Sequence, residues 1–580
     1  MLGNGYDVHH DTNEIHSMTH PHVLPALHRR IRLPIGWMRT IGFAAVLVLL
    51  GCSNFVFADT TYVDSGRVSG IWTTSGNPFV VRGDIWVSSA ENLEIQPGVH
   101  VYFTGPFRLM IEGSIRARGT MEDSVVFSTD SSLNHEGWGG IRLIRPAEIC
   151  EFEYCVFEGG RALGQLDYGL GGALLCDQAD VRLISSTIHL CQATSGSAIF
   201  ARNSSYLTIT DCIFRQNGVF IGSGGAICAR NGSRLTLTSS TFVCNMALYG
   251  GAVTVDASTL LANDCEFSKN IAAIWGGAIY GTTADLTFNG TSFYGNSSTG
   301  GGALDCRVDV RLIMDRCILG QNSSIRPGAE GPGGAILLQN GEQWIYNCTL
   351  IENRASQGGA IYGSAHMHVK NCIIANNTCG RGIFFPYSGA DVRYCCLTGN
   401  IGGDWGGWTP PYQFGQRVRL NPNGDSCDVY SNIYQNPLFD DSADVGYSLC
   451  FASPCIDAGD PARPRDPDGT ISDIGARWFD QTSSVAPERT AVPRSTVLYP
   501  AYPNPFNPSA TLSYEIAQED FVTLRIFDLL GRETAALVQA RRQAGRHVVQ
   551  WNAESAPSGY YFAVLEAGDV HSVQKLLLMK

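Results

Sequence analysis

The stretch GGAIYGTTADLTFNGTSFYGN, from Gly276 to Asn296, opens on two glycines, alternates apolar and polar residues twice and closes on an asparagine. The stretch before it, GGAVTVDASTLLANDCEFSKN, has the same outline from Gly250 to Asn270. The step is about 26 residues, a length typical of solenoid repeats. The repeats open at Gly171, Gly196, Gly224, Gly250, Gly276, Gly301, Gly333 and Gly358, each followed by a second glycine except Gly196, which is followed by serine. The closing asparagines are Asn217, Asn245, Asn270, Asn296, Asn322, Asn353 and Asn377.

The residues after each glycine pair alternate with the period of a β-strand. The fourth position of the repeat is always branched and apolar, as at Ile279, and the position two residues later is small or apolar, as at Gly281. A second apolar and polar run follows, as in YLTITDCIF and RLTLTSSTF, and predicts a second strand. One strand pair cannot bury its own apolar face, but stacked coils can. The sequence therefore predicts an all-β fold, a parallel β-helix.

The corners of the predicted coil carry glycine and asparagine for physical reasons. Glycine permits a sharp bend that a side chain would block. Asparagine tolerates the left-handed conformation, and stacked amides can hydrogen-bond from one coil to the next. We therefore expect each closing asparagine, such as Asn270, to occupy a left-handed corner.

Most of the 19 cysteines follow the repeat. One set lies two residues before an inward Phe, Leu or Ile position: Cys155, Cys212, Cys265, Cys317, Cys348 and Cys372. We expect these to be buried thiols, with a disulfide ladder as the alternative. Cys427, Cys450 and Cys455 lie outside the repeat and are better disulfide candidates, with their pairing left open.

Two resemblances support this interpretation. The GGAI and F-x-x-N elements resemble the polymorphic outer-membrane protein repeat, and the wider arrangement resembles the pectin-lyase-like right-handed β-helix superfamily. The resemblance implies a right-handed β-helix over residues 59–400 and a closing segment over 401–480. It does not imply an activity, because the superfamily contains lyases, hydrolases, adhesins and passive stalks.

Residues 1–58 have the features of a leader. Met38 is the better start, because a basic residue and an apolar stretch from Ile41 to Leu50 follow it. The histidine-rich residues 1–37 are then upstream sequence, with a metal-binding tail as the alternative. Cleavage after Ala58 is favoured over lipidation of Cys52 in a lipobox-like LLGC. Either route exports the chain.

The closing segment contains three nearby aspartates, Asp466, Asp468 and Asp473. Hard oxygen ligands this close could hold Ca²⁺, the one cofactor that the sequence suggests. The spacing is not that of an EF-hand loop, and the alternative is an Asp-rich turn that caps its own backbone.

A polar linker at 481–496 precedes short alternating strands at 497–580, which predict a small β-sandwich. Its motifs YPNPFNP, IFDLLGRE, AGRH and SGYYF, with Lys575 and Lys580 near the end, resemble the C-terminal sorting domain of type IX secretion cargo. The resemblance implies export through the periplasm by the type IX machinery, and anchoring at the outer membrane or release.

The charge and the outward columns limit the function. A net charge of -13 argues against nucleic acid and anionic membranes as partners. Predicted sugar contacts are Phe200, Tyr280 and Tyr362, which could stack on sugar rings, with Arg202 and Arg230 beside them. Candidate catalytic residues are Asp256, Asp305 and Arg307, within about two coils of one another.

No motif specific to an enzyme class accompanies these residues. The sequence therefore favours an adhesive, glycan-binding or structural surface protein whose partner is an extracellular polysaccharide or cell-surface glycan. The alternative is a polysaccharide lyase or glycoside hydrolase that acts on acidic polysaccharide along the β-helix face.

Overall fold

A computed structural model describes residues 60–129, 136–164, 166–218, 221–326, 329–364, 366–440, 446–482, 496–499, 501, 504, 506–568 and 570–579. Ala58, Cys52, Lys580, residues 1–37 and most of the predicted linker lie outside them. Within these residues, no helix has the length and apolarity needed to cross a bilayer. Their helical structure consists of 3-10 turns at Thr74–Gly76 and Leu166–Gly169.

Three long parallel sheets form the body of the protein, and each described coil except the last contributes one strand to each sheet. We name them sheets A, B and C. Sheet A contains Thr61–Val63, Phe79–Val81, His100–Phe103, Val125–Thr129, Cys155–Glu158, Thr187–His189, Ile213–Arg215, Thr241–Val243, Glu266–Ser268, Ser292–Tyr294, Ile318–Gly320, Thr349–Ile351, Ile373–Ala375 and Cys396–Thr398.

A strand of sheet B and then a strand of sheet C follow the sheet A strand in each described coil except the last, which ends after its sheet B strand. Sheet B contains Gly66–Arg67, Ile85–Val87, Leu109–Ile111, Ile141–Ile144, Leu174–Asp177, Ile199–Arg202, Ile227–Arg230, Val253–Asp256, Ile279–Thr282, Leu304–Cys306, Ile336–Leu338, Ile361–Tyr362, Ile383–Phe385 and Trp405–Gly407. Sheet C contains Gly70–Trp72, Asn92–Ile95, Ser114–Arg118, Cys150–Glu153, Asp180–Ile184, Tyr206–Thr210, Arg234–Thr238, Thr259–Asn263, Asp285–Asn289, Arg311–Asp315, Gln343–Tyr346, Met367–Lys370 and Asp391–Arg393. The predicted right-handed parallel β-helix is confirmed.

The coil has three strands where the sequence pattern predicted two. The run YLTITDCIF is divided between Tyr206–Thr210 in sheet C and Ile213–Arg215 in sheet A. The chain turns at Asp211, whose φ of 53° is left-handed. The turn shifts the alternation by one residue, because Thr210 and Asp211 both lie outside the core between the inward Ile209 and Cys212.

The aligned repeat positions stack in register as predicted. Ile227, Val253 and Ile279 are direct neighbours in sheet B. Aromatic rings stack in the same way in sheet A, where the centroid of Phe242 lies 4.6 Å from that of Phe214 and 4.7 Å from that of Phe267. These columns form one continuous buried core along the coils.

The closing asparagines form a buried hydrogen-bond ladder. The main-chain N–H and the Nδ2 amide of Asn270 both donate to Oδ1 of Asn296 at 3.0 Å, and Nδ2 also donates to the Phe242 carbonyl. The predicted stacking of amides is therefore confirmed, but the predicted left-handed asparagine is wrong. The left-handed residue is the one before it, as at Lys269, where φ is 54°.

The repeat cysteines lie at the corner between sheets C and A and are buried, as predicted. They share this corner with hydroxyl residues: the N–H of Ser186 donates to Sγ of Cys212, and the N–H of Cys212 donates to Oγ of Ser240. Burial raises the pKa of the Cys212 thiol to about 12, which leaves it unreactive. Their oxidation state stays a prediction.

Smaller sheets lie beside the coils. Two strands pair at Arg161–Ala162 and Gln192–Ala193 and two at Arg419–Leu420 and Ser426–Cys427. A five-stranded sheet lies between sheets A and B and contains Met246–Tyr249, Ile271–Trp275, Ser297–Ser298, Ser323–Arg326 and Ala329–Glu330.

Residues that follow the last coil pack against the end and the outside of the helix. Phe414 joins the main core, where its ring meets that of Trp405 edge to face. Further along, the N–H of Asp460 donates to Oδ1 of Asn371, and the N–H of Ala476 donates to Oγ1 of Thr349. The closing segment thus covers the outer side of sheet A.

The C-terminal strands form two antiparallel sheets around their own core. One sheet contains Val497–Leu498, Ser509–Ile516 and Gly545–Asn552. The other contains Glu533–Arg542, Asp520–Asp528, Gly559–Ala567 and Val570–Leu578. The predicted β-sandwich is confirmed.

Candidate functional site

The outward column of sheet B is more buried than the sequence predicted. Phe200 is only 3% exposed and packs with Leu175 and Cys228 in a small apolar cluster outside the main core. Phe200 therefore cannot stack on a sugar ring in this structure, and the prediction that its column is solvent-exposed is wrong. Within that column Tyr280 and Tyr362 remain half-exposed.

At some of the double glycines, the residue before the pair lies over this column. Gly276 has a φ of 65°, and a Cβ there would lie 2.1 Å from the Ile279 carbonyl oxygen, so only glycine allows the turn. The turn brings Trp275 back over the following strand, where its ring centroid lies 5.8 Å from that of Tyr280. One coil earlier, Tyr249 precedes Gly250 in the same way.

Three half-exposed rings meet at this point, and we call Tyr249, Trp275 and Tyr280 the aromatic shelf. The centroid of Tyr249 lies 5.2 Å from that of Trp275 and 5.6 Å from that of Tyr280. Partial burial and then the nearby Asp305 carboxylate raise the pKa of Tyr280. The phenol therefore stays protonated and able to donate a hydrogen bond at neutral pH.

An arginine and a buried carboxylate border the shelf. Arg307 donates to Asp305 through Nε at 2.6 Å and through Nη2 at 2.8 Å, and its guanidinium lies 4.1 Å from the centroid of the Trp275 ring. Asp305 is fully buried, and desolvation raises its pKa to about 6 although Arg307 opposes the shift. Sugar stacking and hydrogen bonding are both possible at such a surface.

The three candidate catalytic residues do not form one cluster of free groups. Asp305 and Arg307 are bound to each other. Asp256 instead pairs with Arg230 at 3.5 Å, and both side chains are about two-fifths exposed. The candidate sugar ligand Arg202 pairs with Asp177 and with Asp167.

A second aromatic group lies further along sheet B. Tyr362 stacks on Phe384 with centroids 5.4 Å apart, and Trp408 meets Phe384 edge to face at 5.9 Å. Trp408 is strongly exposed. This group has aromatic surface but, unlike the shelf, no arginine stacked on a ring among the described contacts.

Sequence reasoning missed Trp275 and Tyr249. Both stand directly before a double glycine, in IWGGAIY and LYGGAVT, at a position that the column analysis did not include. An aromatic residue on each side of the glycine pair, as in Trp275 and Tyr280, was the available pattern.

The three aspartates of the closing segment accept hydrogen bonds from the main chain. Asp466 accepts from the N–H of Asp473, while Asp473 accepts from Phe479 and Asp468 from Thr470. Burial raises the pKa of Asp473 to about 7. Within the described ranges, no group of three or more His, Cys, Asp or Glu side chains is arranged to hold a metal ion. The Ca²⁺ site stays a prediction.

The motif at the start of the sandwich binds the end of the chain. Nδ2 of Asn504 donates to the Lys575 carbonyl, and its Oδ1 accepts from the N–H of Leu577. The Nζ ammonium of Lys575 lies 4.1 Å from the centroid of the Tyr560 ring. Phe506 continues this parallel contact by donating to the Leu577 carbonyl. The sequence treated these two motifs as separate, and the structure joins them.

Comparisons with known proteins agree with this architecture. The right handed beta helix region family matches residues 122–275 and 250–409, and the secretion system C-terminal sorting domain family matches residues 500–579. The chain is a right-handed parallel β-helix protein with a type IX C-terminal sorting domain. It is therefore exported to the cell surface or secreted.

A mutant of the PL6 family alginate lyase AlyGC is among the similar solved structures, with 11% sequence identity and a TM-score of 0.24. The match covers 62% of this chain and 57% of the enzyme's chain, so it spans little more than half of that enzyme. A comparison with curated proteins found no match.

Proposed function

We propose that this exported β-helix protein is an adhesive or structural rod that binds extracellular polysaccharide through the aromatic shelf. The observation that carries the proposal is the group of three half-exposed rings with the Arg307 guanidinium stacked on Trp275. Aromatic rings offer a flat apolar surface to the C–H face of a sugar, and a tyrosine hydroxyl adds directional hydrogen bonds.

Arg307 can still donate hydrogen bonds to a ligand, although it is ion-paired with Asp305. Asp305 accepts from Nε and Nη2 of Arg307, so the other guanidinium N–H groups remain available as donors. The ion pair also holds the guanidinium over the Trp275 ring. A fixed donor beside a fixed ring lowers the entropy cost of binding a flexible polysaccharide.

The alternative function is a lyase or hydrolase at the same site. It is favoured by Asp305, whose pKa of about 6 is suited to proton transfer near neutral pH. It is opposed by the complete burial of that carboxylate and its two hydrogen bonds to Arg307, because a catalytic acid must reach the substrate. Glycan binding without turnover is therefore the better-supported proposal.

The test is polysaccharide binding by the full chain and by two tryptophan variants. Trp275→Ala should weaken binding to neutral or acidic polysaccharides by about tenfold or more, because a ring contact of this kind contributes on the order of 1–2 kcal/mol. Trp344→Ala is the matched control, since Trp344 is also half-exposed with Arg311 at 5.3 Å but lies on sheet C.

Calorimetry measures the affinity, and a parallel assay for unsaturated or reducing ends detects turnover. Equal losses in both variants would contradict the shelf as binding site. Product formation that Asp305→Asn abolishes would replace the binding proposal with the enzymatic one.

We also propose that the sorting domain anchors the protein at the outer membrane through the type IX machinery. Deletion of residues 497–580 should leave the β-helix in the periplasm, and deletion of 575–580 alone should do the same, because Asn504 and Phe506 lose their partner strand. Asn504→Ala should reduce surface display more than Asn552→Ala, which removes an exposed amide outside this contact. Normal surface display of either deletion variant would contradict the proposal.

A further inference from the structure

Besides the repeat thiols, the chain has a second group of cysteines on the outer side of sheet A. Cys396, Cys427 and Cys455 belong to one small buried cluster, together with Ile433 and Ile474 among others. Cys396 and Cys455 are fully buried. This cluster is the contact between the last strands of sheet A and the closing segment, so its cysteines come from parts of the chain distant in sequence.

Cys396 and Cys455 share this buried cluster. Burial first, and then the neighbouring Cys396 thiol, raise the pKa of the Cys455 thiol. Cys396 begins the last strand of sheet A, whose neighbour is Ile433. Cys455 is fixed by its own main chain, because its N–H donates to Oγ of Ser453 and its carbonyl accepts from Ile474.

Repeat thiols are also neighbours, since Cys348 interacts with the thiols of Cys317 and Cys372, so proximity alone does not single out Cys396 and Cys455. Cys427 is the direct strand partner of Arg419, whose side chain lies beside its thiol. The repeat thiols serve as corner acceptors: Cys348 Sγ accepts from the N–H of Cys317, and Cys372 Sγ accepts from the N–H of Cys348. A disulfide between repeat thiols would disturb these contacts, whereas no main-chain N–H depends on the sulfur of Cys396 among the described hydrogen bonds.

We propose that Cys396 and Cys455 form a disulfide bond on export, which ties the closing segment to the outer side of sheet A. The chain passes through an oxidising compartment, where such bonds form and persist. The bridge would close a loop of about 60 residues, long enough for a cross-link to restrict the unfolded chain substantially.

The chemistry needs an oxidant of the disulfide class, such as a thiol oxidase of the extracytoplasmic space. One protein thiolate attacks the oxidant's disulfide, which forms a mixed disulfide and releases one oxidant thiol. The second protein thiolate then attacks the mixed disulfide, forms the Cys396–Cys455 bond and releases the other oxidant thiol. The protein loses two protons and two electrons, and the oxidant gains them. The step occurs before the closing segment packs, because both sulfurs are buried afterwards.

The test is peptide mapping of the full chain purified after export, alkylated in denaturant without reductant and then digested. We expect a peptide pair that joins Cys396 to Cys455, two hydrogens lighter than the separate thiol peptides, and free alkylated thiols at Cys212 and Cys265. Cys427→Ser should retain the linked pair. Alkylation of Cys396 and Cys455 as free thiols would overturn the proposal, and so would a peptide that joins Cys455 to Cys427 or Cys450.

A second measurement checks that the bond stabilises the fold. Cys396→Ser, Cys455→Ser and the double variant should each lower the melting temperature by the same amount, about 5 °C, because each removes the same bridge once. Wild-type protein unfolded in the presence of reductant should melt at that lower temperature. Additive losses in the double variant would contradict a bond between these two residues.

Discussion

The outer faces of sheets B and C come from the same coils and show the same alternation, yet one is largely covered and the other is open. In neighbouring strands of sheet B, Phe200, Cys228 and Thr254 are at most 3% exposed. The corresponding residues of sheet C in the same coils are half-exposed: Thr208, Thr236 and Leu261. Alternation identifies the residues that point away from the core, but it does not show what lies above them.

Large side chains that stand directly before a double glycine cover the outer face of sheet B. Leu170 packs on the Leu175, Phe200 and Cys228 cluster, and Trp275 lies on Tyr280. In its middle coils, sheet C has no such overlay among the described residues, since a single left-handed residue forms the corner with sheet A, as at Asp264. Near the end of the coils, Arg463 of the closing segment does lie over Tyr346 of sheet C. Polar and aromatic side chains on the covered face of sheet B are therefore held in position by their neighbours. Side chains on the open face of sheet C remain in contact with solvent.

The largest expected difference between the two faces is in the free energy of unfolding. Phe200→Ala should cost about 4 kcal/mol, because it empties a buried aromatic site. Leu261→Ala on sheet C should cost less than about 1 kcal/mol, because its side chain is already half-exposed. Urea unfolding of both variants measures the difference. Equal costs would show that the overlay contributes nothing to stability.

The buried Asp305 makes stability depend on pH in a defined direction. Desolvation raises its folded-state pKa from 3.8 to about 6, so the folded chain holds the proton to higher pH than the unfolded chain. Its stabilising contribution is complete below about pH 4 and is lost as the pH rises through 6, at most about 3 kcal/mol in all.

Asp305→Asn keeps this site uncharged at every pH. We therefore expect wild-type stability, measured relative to this variant by urea unfolding, to fall between pH 4 and pH 7. Asp256→Asn, which removes a carboxylate that is about two-fifths exposed, is measured in parallel as the control. A wild-type stability that rises relative to Asp305→Asn over this range would contradict the assignment of a desolvated carboxylate.

Thiol labelling compares the covered face of sheet B with the exposed turns. We rank its expected effect below the two effects on stability. Cys228 lies directly beside Phe200 and is fully buried, and burial raises its pKa to about 12. Cys244 is exposed at the corner that precedes Asn245. Maleimide labelling followed by mass spectrometry should modify Cys244 at least ~100-fold faster than Cys228. Similar rates in folded protein would mean that the overlay opens readily.

The repeat itself could be predicted in detail because each column obeys a local constraint. The double glycines, the asparagine ladder and the inward positions such as Ile279 all repeat with one residue type or class. The third strand of each coil was missed although the bend at Asp211 shifts the alternation by one residue, because the inward positions on both sides were assigned to one strand. The left-handed corner was placed on Asn270 and not on Lys269, because asparagine is the residue type that tolerates this conformation.

The candidate site could be predicted only in part. Tyr280, Asp305 and Arg307 were identified from the outward columns, and the structure brings them to one surface. The ion pair between Asp305 and Arg307 could not be predicted, because it depends on which outward residues lose contact with water. The position of Trp275 depends on the turn at Gly276, a tertiary feature without periodicity of its own.

The most direct test of polysaccharide binding by the aromatic shelf is hydroxyl-radical footprinting of the full chain with and without a saturating polysaccharide ligand. Trp275 and Tyr280 are half-exposed in the free protein and should be oxidised there, then protected when the ligand is bound. Trp344 on sheet C and Trp408 at the end of the coils should be oxidised equally in both samples. Protection of Trp344 or Trp408 with an unchanged Trp275 would contradict the proposed binding site.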